Sequence, residues 1–177
     1  MKFSRGRYLF LILGLMWILS GCQTTKKIGK VILDPDTPVG EANDQPSTIQ
    51  MILLADPDTN PNIQGEAAPV AISVVYLSED SKMLAADYDQ LAGDLLDKTL
   101  GKNYIDHQDY TLLPDQFKPL PVIKLEEKNS YIGVVAYYSD DNRSEWKKII
   151  KIKGIGHNYH VLIHLRSNEV DLKEEEE

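Results

Sequence analysis

Sulfur and positive charge are both scarce in this chain. One cysteine among 177 residues leaves no disulfide framework. Lysine and arginine together number 19 against 27 acidic residues, a net charge of −8. Such acidity argues against a nucleic-acid partner and against a broadly basic, membrane-hugging surface. Long apolar runs are missing too. Tyr8–Leu19, "YLFLILGLMWIL", falls well short of the roughly 20 residues that a helix needs to cross a bilayer.

Signatures of catalysis are equally thin. There is no G-x-S-x-G, and Gly93 with Gly101-Lys102 is wrongly spaced for a phosphate loop. Asp56, Asp58 and Asn60 begin like a calcium loop, but Pro61 and Ala67 stand where the turn glycine and the bidentate glutamate belong. His157, His160 and His164 lie in a strand-like pattern. Four strand residues cover about 13 Å, too far for one ion to bridge. Acidic pairs such as Asp87/Asp89 and Asp94/Asp97 read as a solvated helix face. The expectation is a chain that is not an enzyme and holds no metal.

What is present begins at the amino terminus. Lys2, Arg5 and Arg7 precede the apolar run, and Ser20 and Gly21 close it, the order of a secretory signal peptide at residues 1–21. Leu19-Ser20-Gly21-Cys22 resembles the lipobox of bacterial lipoproteins. The resemblance implies cleavage before Cys22, a diacylglycerol thioether on its sulfur and an N-acyl chain on its amine, with no other cofactor. One acyl chain anchors only marginally whereas two or more hold durably. Gln23 stands where an inner-membrane lipoprotein would usually carry Asp, which implies sorting to the outer membrane, facing the periplasm. Residues 22–46 are polar and dotted with Pro and Gly, as in a flexible tether.

The remainder, 47–173, reads as one mainly β domain. Ile49, Met51 and Leu53 alternate along Ser47–Ala55, and Val70, Ile72, Val74 and Tyr76 along the next strand. Leu84, Tyr88, Leu91 and Leu95 recur at helical spacing, predicting a helix over about 81–97 with Ser81 as its N-cap. Further strands are expected at His107–Leu113, Leu120–Glu126, Tyr131–Tyr138, Trp146–Lys153, Tyr159–Arg166 and Glu169–Leu172. "YIGVVAYY" is apolar on both faces and should lie centrally beneath the helix. Many short strands between turns favour a two-sheet sandwich over a βαβ plan. The closing acidic run, 174–177, reads as a frayed tail. Between the first two strands lies "DPDTNPNIQGEAA" (56–68). It is long for a hairpin connection, and such loops are commonly functional or disordered. Asn60, Asn62, Ile63 and Gln64 there offer a polar surface with one apolar knob.

The series "VVYLSEDSKMLAADYDQLAGDLL" (74–96), "LLPDQFKPLPVIKL" (112–125), "YIGVVAYY" (131–138) and Trp146 resembles the outer-membrane lipoproteins of type VI secretion, the TssJ (SciN) family. Tyr76-Leu77-Ser78, Leu84 and Pro114-Asp115 depart from the family's usual residues. The resemblance implies a transthyretin-like two-sheet β-sandwich with a small added helical segment. It also implies a structural role, tying the periplasmic C-terminal region of TssM, and through it TssL, to the outer membrane. In the family the loop between the first two strands makes that contact, which by position implies Asp58, Thr59, Asn60, Asn62, Ile63 and Gln64. The alternative is a periplasmic lipoprotein that binds a small ligand, a sugar or peptide, on its sandwich. Cys22→Ser is expected to abolish incorporation of radiolabelled palmitate and to move the protein from the pelleted membranes to the soluble fraction.

Overall fold

Alternation of apolar side chains builds two sheets whose inner faces meet. The structure is a computed structural model describing residues 44–92 and 96–176. The signal peptide, Cys22, the tether up to residue 43, Leu95 and the last residue lie outside them. The first sheet contains β1 (Thr48–Ala55), β4 (Phe117–Pro119), β8 (Asn158–Leu165) and β9 (Val170–Glu176) in the order β4-β1-β8-β9, and β5 (Ile123–Lys124) also pairs with β1. β1 and β8 run parallel and stay in register from Thr48↔Asn158 to Ala55↔Leu165. The second sheet is antiparallel, in the order β3-β2-β6-β7, from β2 (Val70–Leu77), β3 (Tyr104–Leu112), β6 (Tyr131–Tyr137) and β7 (Lys147–Lys151). The expected two-sheet sandwich is therefore present, and "YIGVVAYY" supplies an interior strand.

Inward residues of β1 (Ile49, Met51, Leu53) and β8 (Tyr159, Val161, Ile163, Leu165) pack against Val70, Ile72, Val74 and Tyr76 of β2 and Ile132, Val134 and Ala136 of β6. The second sheet is also covered from outside. Val75, Leu77 and Val135 on its outer face meet Met83, Ala86, Leu91, Leu96 and Leu100 of the helical segment. A strand buried on both faces must be apolar at every position, and β6 is.

The helical segment corrects one expectation. Among the described residues the single helix expected over 81–97 is instead three short ones, α1 (Ser81–Ala85), α2 (Tyr88–Leu91) and α3 (Leu96–Leu100). The cause is capping chemistry inside the apparent period. Asp87 and Gln90 make a capping box, in which the Asp87 N–H donates to Gln90 Oε1 at 2.9 Å. Such a pair starts a new helix, so Ala86 is extended (ψ 140°). The break turns Leu84 outward, 60% exposed, and lets Met83 take the buried place. Asp80, not Ser81, is the N-cap, without a side-chain bond. Lys147 of β7 closes α1 from below, donating to the carbonyls of Met83 (2.8 Å), Leu84 (3.1 Å) and Ala86 (2.8 Å). Desolvation there pulls the Lys147 pKa down, opposed by the nearby Asp87 carboxylate.

The acidic run is corrected as well. The domain does not end at 173 in a frayed tail, because β9 pairs with β8 through Tyr159↔Glu176. His157 Nδ1 meets Glu176 Oε1 at 2.5 Å. Edge strands carry charge to discourage further pairing, so this composition suits an edge. Of the strand expected over Leu120–Glu126 only β5 forms, while β4 lies just before that stretch, and each pairs with β1.

The turn between β7 and β8 approaches the chain at 126–127 closely. A Cβ on Gly154 would lie 2.2 Å from the Glu126 carbonyl oxygen and 2.5 Å from that of Glu127. Both are backbone atoms, which cannot swing aside. Gly154→Ala is expected to destabilise the domain by roughly 1–3 kcal/mol, as overpacking does, seen as a melting point several degrees lower.

Candidate functional site

Strand directions collect four connections at one end of the sandwich: 56–69, 113–116, 138–146 and 166–169. Ser47, where the chain enters β1, lies at the other end, its N–H bonded to the Gly154 carbonyl at 2.8 Å. The loop between the first two strands therefore points away from the side on which the ordered domain is entered.

That loop is not loose. Thr59 is fully buried, and its hydroxyl donates to the Leu165 carbonyl at 2.8 Å. Asn60 is 4% exposed and joins three connections. Its Nδ2 donates to the Pro69 carbonyl at 2.7 Å, its Oδ1 accepts the Ser139 N–H at 2.7 Å, and its own N–H donates to the Ser167 carbonyl at 2.9 Å. Its φ of +52° is left-handed, a region asparagine enters more readily than most residues. At the base, His164 Nε2 and Asp56 Oδ1 lie 2.7 Å apart. Beyond Asn60 the tip is a compact turn. Asn62 Oδ1 accepts the N–H groups of Gln64 (2.9 Å) and Glu66 (3.0 Å), and Gly65 takes a φ of +81°.

The six residues named from the sequence thus divide. Asp58, Ile63 and Gln64 are exposed, and Ile63 is 97% so. Asn62 is half-buried and shapes the tip. Thr59 and Asn60 are not surface residues; they position the loop from inside. Sequence cannot separate a buried asparagine from a solvated one, although Asn in a turn-rich stretch hints at a left-handed position. Residues from other connections also went unread. Ser139, Asp140, Arg143 and Asn168 join Pro61, Asn62, Ile63 and Gly65 around a depression of about 410 Å³. Leu113 (57% exposed) and Phe117 (61% exposed) belong to the same end, tied in where the Ala55 N–H donates to the Gln116 carbonyl at 2.9 Å. Three of the five exposed large apolar side chains among the described residues, Ile63, Leu113 and Phe117, thus lie at this end.

One other polar cluster invites a catalytic reading. Ser73 Oγ donates to Asp109 Oδ1 at 2.6 Å and lies 3.0 Å from the Tyr137 hydroxyl, while His107 Nε2 is 3.5 Å from Asp109 Oδ2. The order is wrong for nucleophilic hydrolysis. The serine faces the carboxylate rather than the imidazole, so His107 is not placed to take its proton as a triad histidine would. His107 Nδ1 is engaged by the Tyr104 hydroxyl at 2.6 Å. Among the described residues, no three His, Cys, Asp or Glu side chains are grouped to hold a metal.

Two packed sheets with an ordered loop cluster at one end define a β-sandwich. The family described as type VI secretion lipoprotein (VasD, EvfM, TssJ) matches residues 47–168, and the chain belongs to that family. No curated protein matches the chain. Among solved structures it is similar to the type VI lipoprotein TssJ1 from Pseudomonas aeruginosa, at 27% identity over 73% of this chain and 97% of that one, with a TM-score of 0.69. Serratia marcescens Lip, a membrane-bound component of the type VI secretion system, shares the fold at 22% identity, covering 73% of this chain and 98% of that one, with a TM-score of 0.62. So does a chain in the structure of the TssM C-terminal domain from EAEC, at 19% identity, 71% and 97% coverage and a TM-score of 0.59.

Asn60→Ala is expected to cost roughly 1–3 kcal/mol, because it strands the Ser139 N–H and the Pro69 carbonyl without partners. Urea denaturation reads the loss, and faster hydrogen exchange at the Ser139 amide locates it. Gln64→Ala, at the solvated tip, should stay within about 0.5 kcal/mol of the parent.

Proposed function

We propose that this chain is an acylated mooring. Diacylglycerol and N-acyl chains on Cys22 hold it in the outer membrane at the periplasmic face, and the loop-bearing end of the sandwich binds the periplasmic C-terminal region of TssM. TssL is engaged only indirectly, through TssM, and the role is structural. The family match over 47–168 carries this reading. The lipobox at 19–22 supports the lipid attachment, and the occurrence of a chain of this fold in a structure of the TssM C-terminal domain supports the partner.

The geometry suits the task. A chain that enters the domain at one end and displays its preorganised loop at the other leaves that loop clear of the entry point. Preorganisation matters because ordering a floppy loop on binding subtracts from affinity. Ile63 is fully presented, and few interface residues carry most of the binding energy.

The test separates folding from docking. Ile63→Asp alters a side chain that is 97% exposed, so the melting temperature should not move. Its affinity for a purified periplasmic fragment of TssM should fall at least about tenfold, near 1.4 kcal/mol, by calorimetry. Unchanged affinity would exclude the loop tip from the interface. Replacing all of 59–64 is a poorer experiment, since it removes Thr59 and Asn60 and loosens the fold.

A further inference from the structure

β3 is nine residues long and forms one edge of the second sheet. Hydrogen bonding elsewhere in that sheet fixes which of its backbone groups are left over. In an antiparallel ladder a residue's N–H and C=O serve the same side, and successive residues alternate. The Ala136 N–H donates to the Trp146 carbonyl at 2.7 Å, so Ala136 turns to β7 and its neighbours Val135 and Tyr137 turn to β2. Val135 then engages Ser73, which leaves Ile72 and Val74 to bond Tyr110 and Gln108 of β3. His107, Asp109 and Thr111 therefore point their backbone groups away from the sheet. One group is already capped, since the His107 N–H donates to Asp106 Oδ1 at 2.8 Å. Among the described residues no strand pairs with this side of β3, and Asp109 and Thr111 are exposed. Such a row of free donors and acceptors is a template for another strand.

The side chains along the row restrict what that strand can be. Val75 lies under the helical segment, and Ser73 shares its face. Their partners across the ladder, His107 and Asp109, therefore rise on the same side. There they line a depression of about 520 Å³ with Ser73, Tyr137, Thr111 and Asp97. No lysine or arginine is among its described lining residues. The Asp109 side chain is 67% exposed; its Oδ1 accepts the Ser73 hydroxyl at 2.6 Å, and its Oδ2 lies 3.5 Å from His107 Nε2. Burial first, then Asp106, Asp97 and Asp109, raise the Tyr104 pKa, so the field along this edge is negative. A second copy of the chain fits poorly. Two such edges would bring aspartates together, and like charges opposite one another are destabilising.

From this juxtaposition we infer that β3 accepts an added strand from another protein, an extended segment with lysine or arginine at alternate positions. Its backbone bonds to Asp109, Thr111 and the His107 carbonyl. A basic side chain directly across from Asp109 has its Cβ about 5 Å from that of the aspartate, and its stem lies over the depression. Main-chain bonds give such a pairing its affinity, and the pocket beside the edge gives it specificity. The edge is distinct from the loop tip, and the inference does not rest on the docking proposed there.

The experiment is an NMR titration of the full chain in detergent micelles, with amide hydrogen exchange as a second readout. The probe is a short peptide alternating lysine with valine, acetylated and amidated at its ends. One control replaces lysine by glutamate, and another keeps lysine but N-methylates its backbone amides. The lysine peptide is expected to slow exchange at the Asp109 and Thr111 amides at least about tenfold, and neither control should. Thr111→Pro removes an outward N–H at an edge, where proline is tolerated. It should weaken the peptide at least about tenfold and leave the melting temperature close to the parent's. Asp109→Asn keeps an acceptor for Ser73 and should weaken the peptide about threefold, the scale of a cross-strand charge pair. The inference is overturned if the lysine peptide protects neither amide, if either control binds equally, or if both variants bind as the parent does. It is also overturned if the two amides are protected without peptide in proportion to protein concentration, because a second copy then holds the edge.

Discussion

The parallel pairing of β1 with β8 is the contact on which the rest of this domain depends. It joins the first strand to one more than a hundred residues later, in register from Thr48↔Asn158 to Ala55↔Leu165. Both strands alternate cleanly, so a slip of one residue would turn every inward side chain to solvent. In register, Ile49, Met51 and Leu53 stand beside Tyr159, Val161 and Ile163 and form one half of the core. A parallel pair also ends both strands at the same end of the sheet. The loops that leave them, 56–69 and 166–169, therefore start side by side, and the Asn60 N–H reaches the Ser167 carbonyl at 2.9 Å. The core and the loop-bearing end share one cause.

The helical segment solves a different problem. β6 is apolar on both faces, as β2 is from Val74 to Leu77, and one sheet can cover only one of them. Three short helices cover the other with Met83, Leu91, Leu96 and Leu100, and Trp146 and Tyr88 meet edge to face at its margin, 5.2 Å between ring centres. Short helices have little stability of their own. These are held by tertiary contacts, including a lysine from the sheet that closes the carbonyl end of α1. The helical layer is a lid belonging to the sheet.

In the loop between β1 and β2, rigidity and exposure are divided between neighbours. Thr59 and Asn60 are spent inside, so that Ile63 and Gln64 can be held outside in a defined place. That division suits a protein whose role is to hold. A mechanical link transmits force only as well as its contact surface is fixed, and the acyl anchor proposed at Cys22 supplies the opposing grip.

Taken alone, the sequence determined what depends on local period and local chemistry. Alternation along β1, β2 and β8 marked the inward residues, the doubly apolar "YIGVVAYY" marked an interior strand, and Leu19-Ser20-Gly21-Cys22 marked the site expected to carry lipid. Tertiary structure decided whatever depends on a distant partner. Asn60 is buried because Ser139 and Pro69 surround it, and the acidic carboxyl end is a strand because β8 had an open edge to pair. The helix break lay between these cases. Asp87 and Gln90 carried a cap signature in plain view, outweighed by an apolar period that the folded chain does not follow. Hydrophobic period reports which side of an element faces the core, but a hydrogen bond between residues eighty apart leaves no trace in the order of either segment.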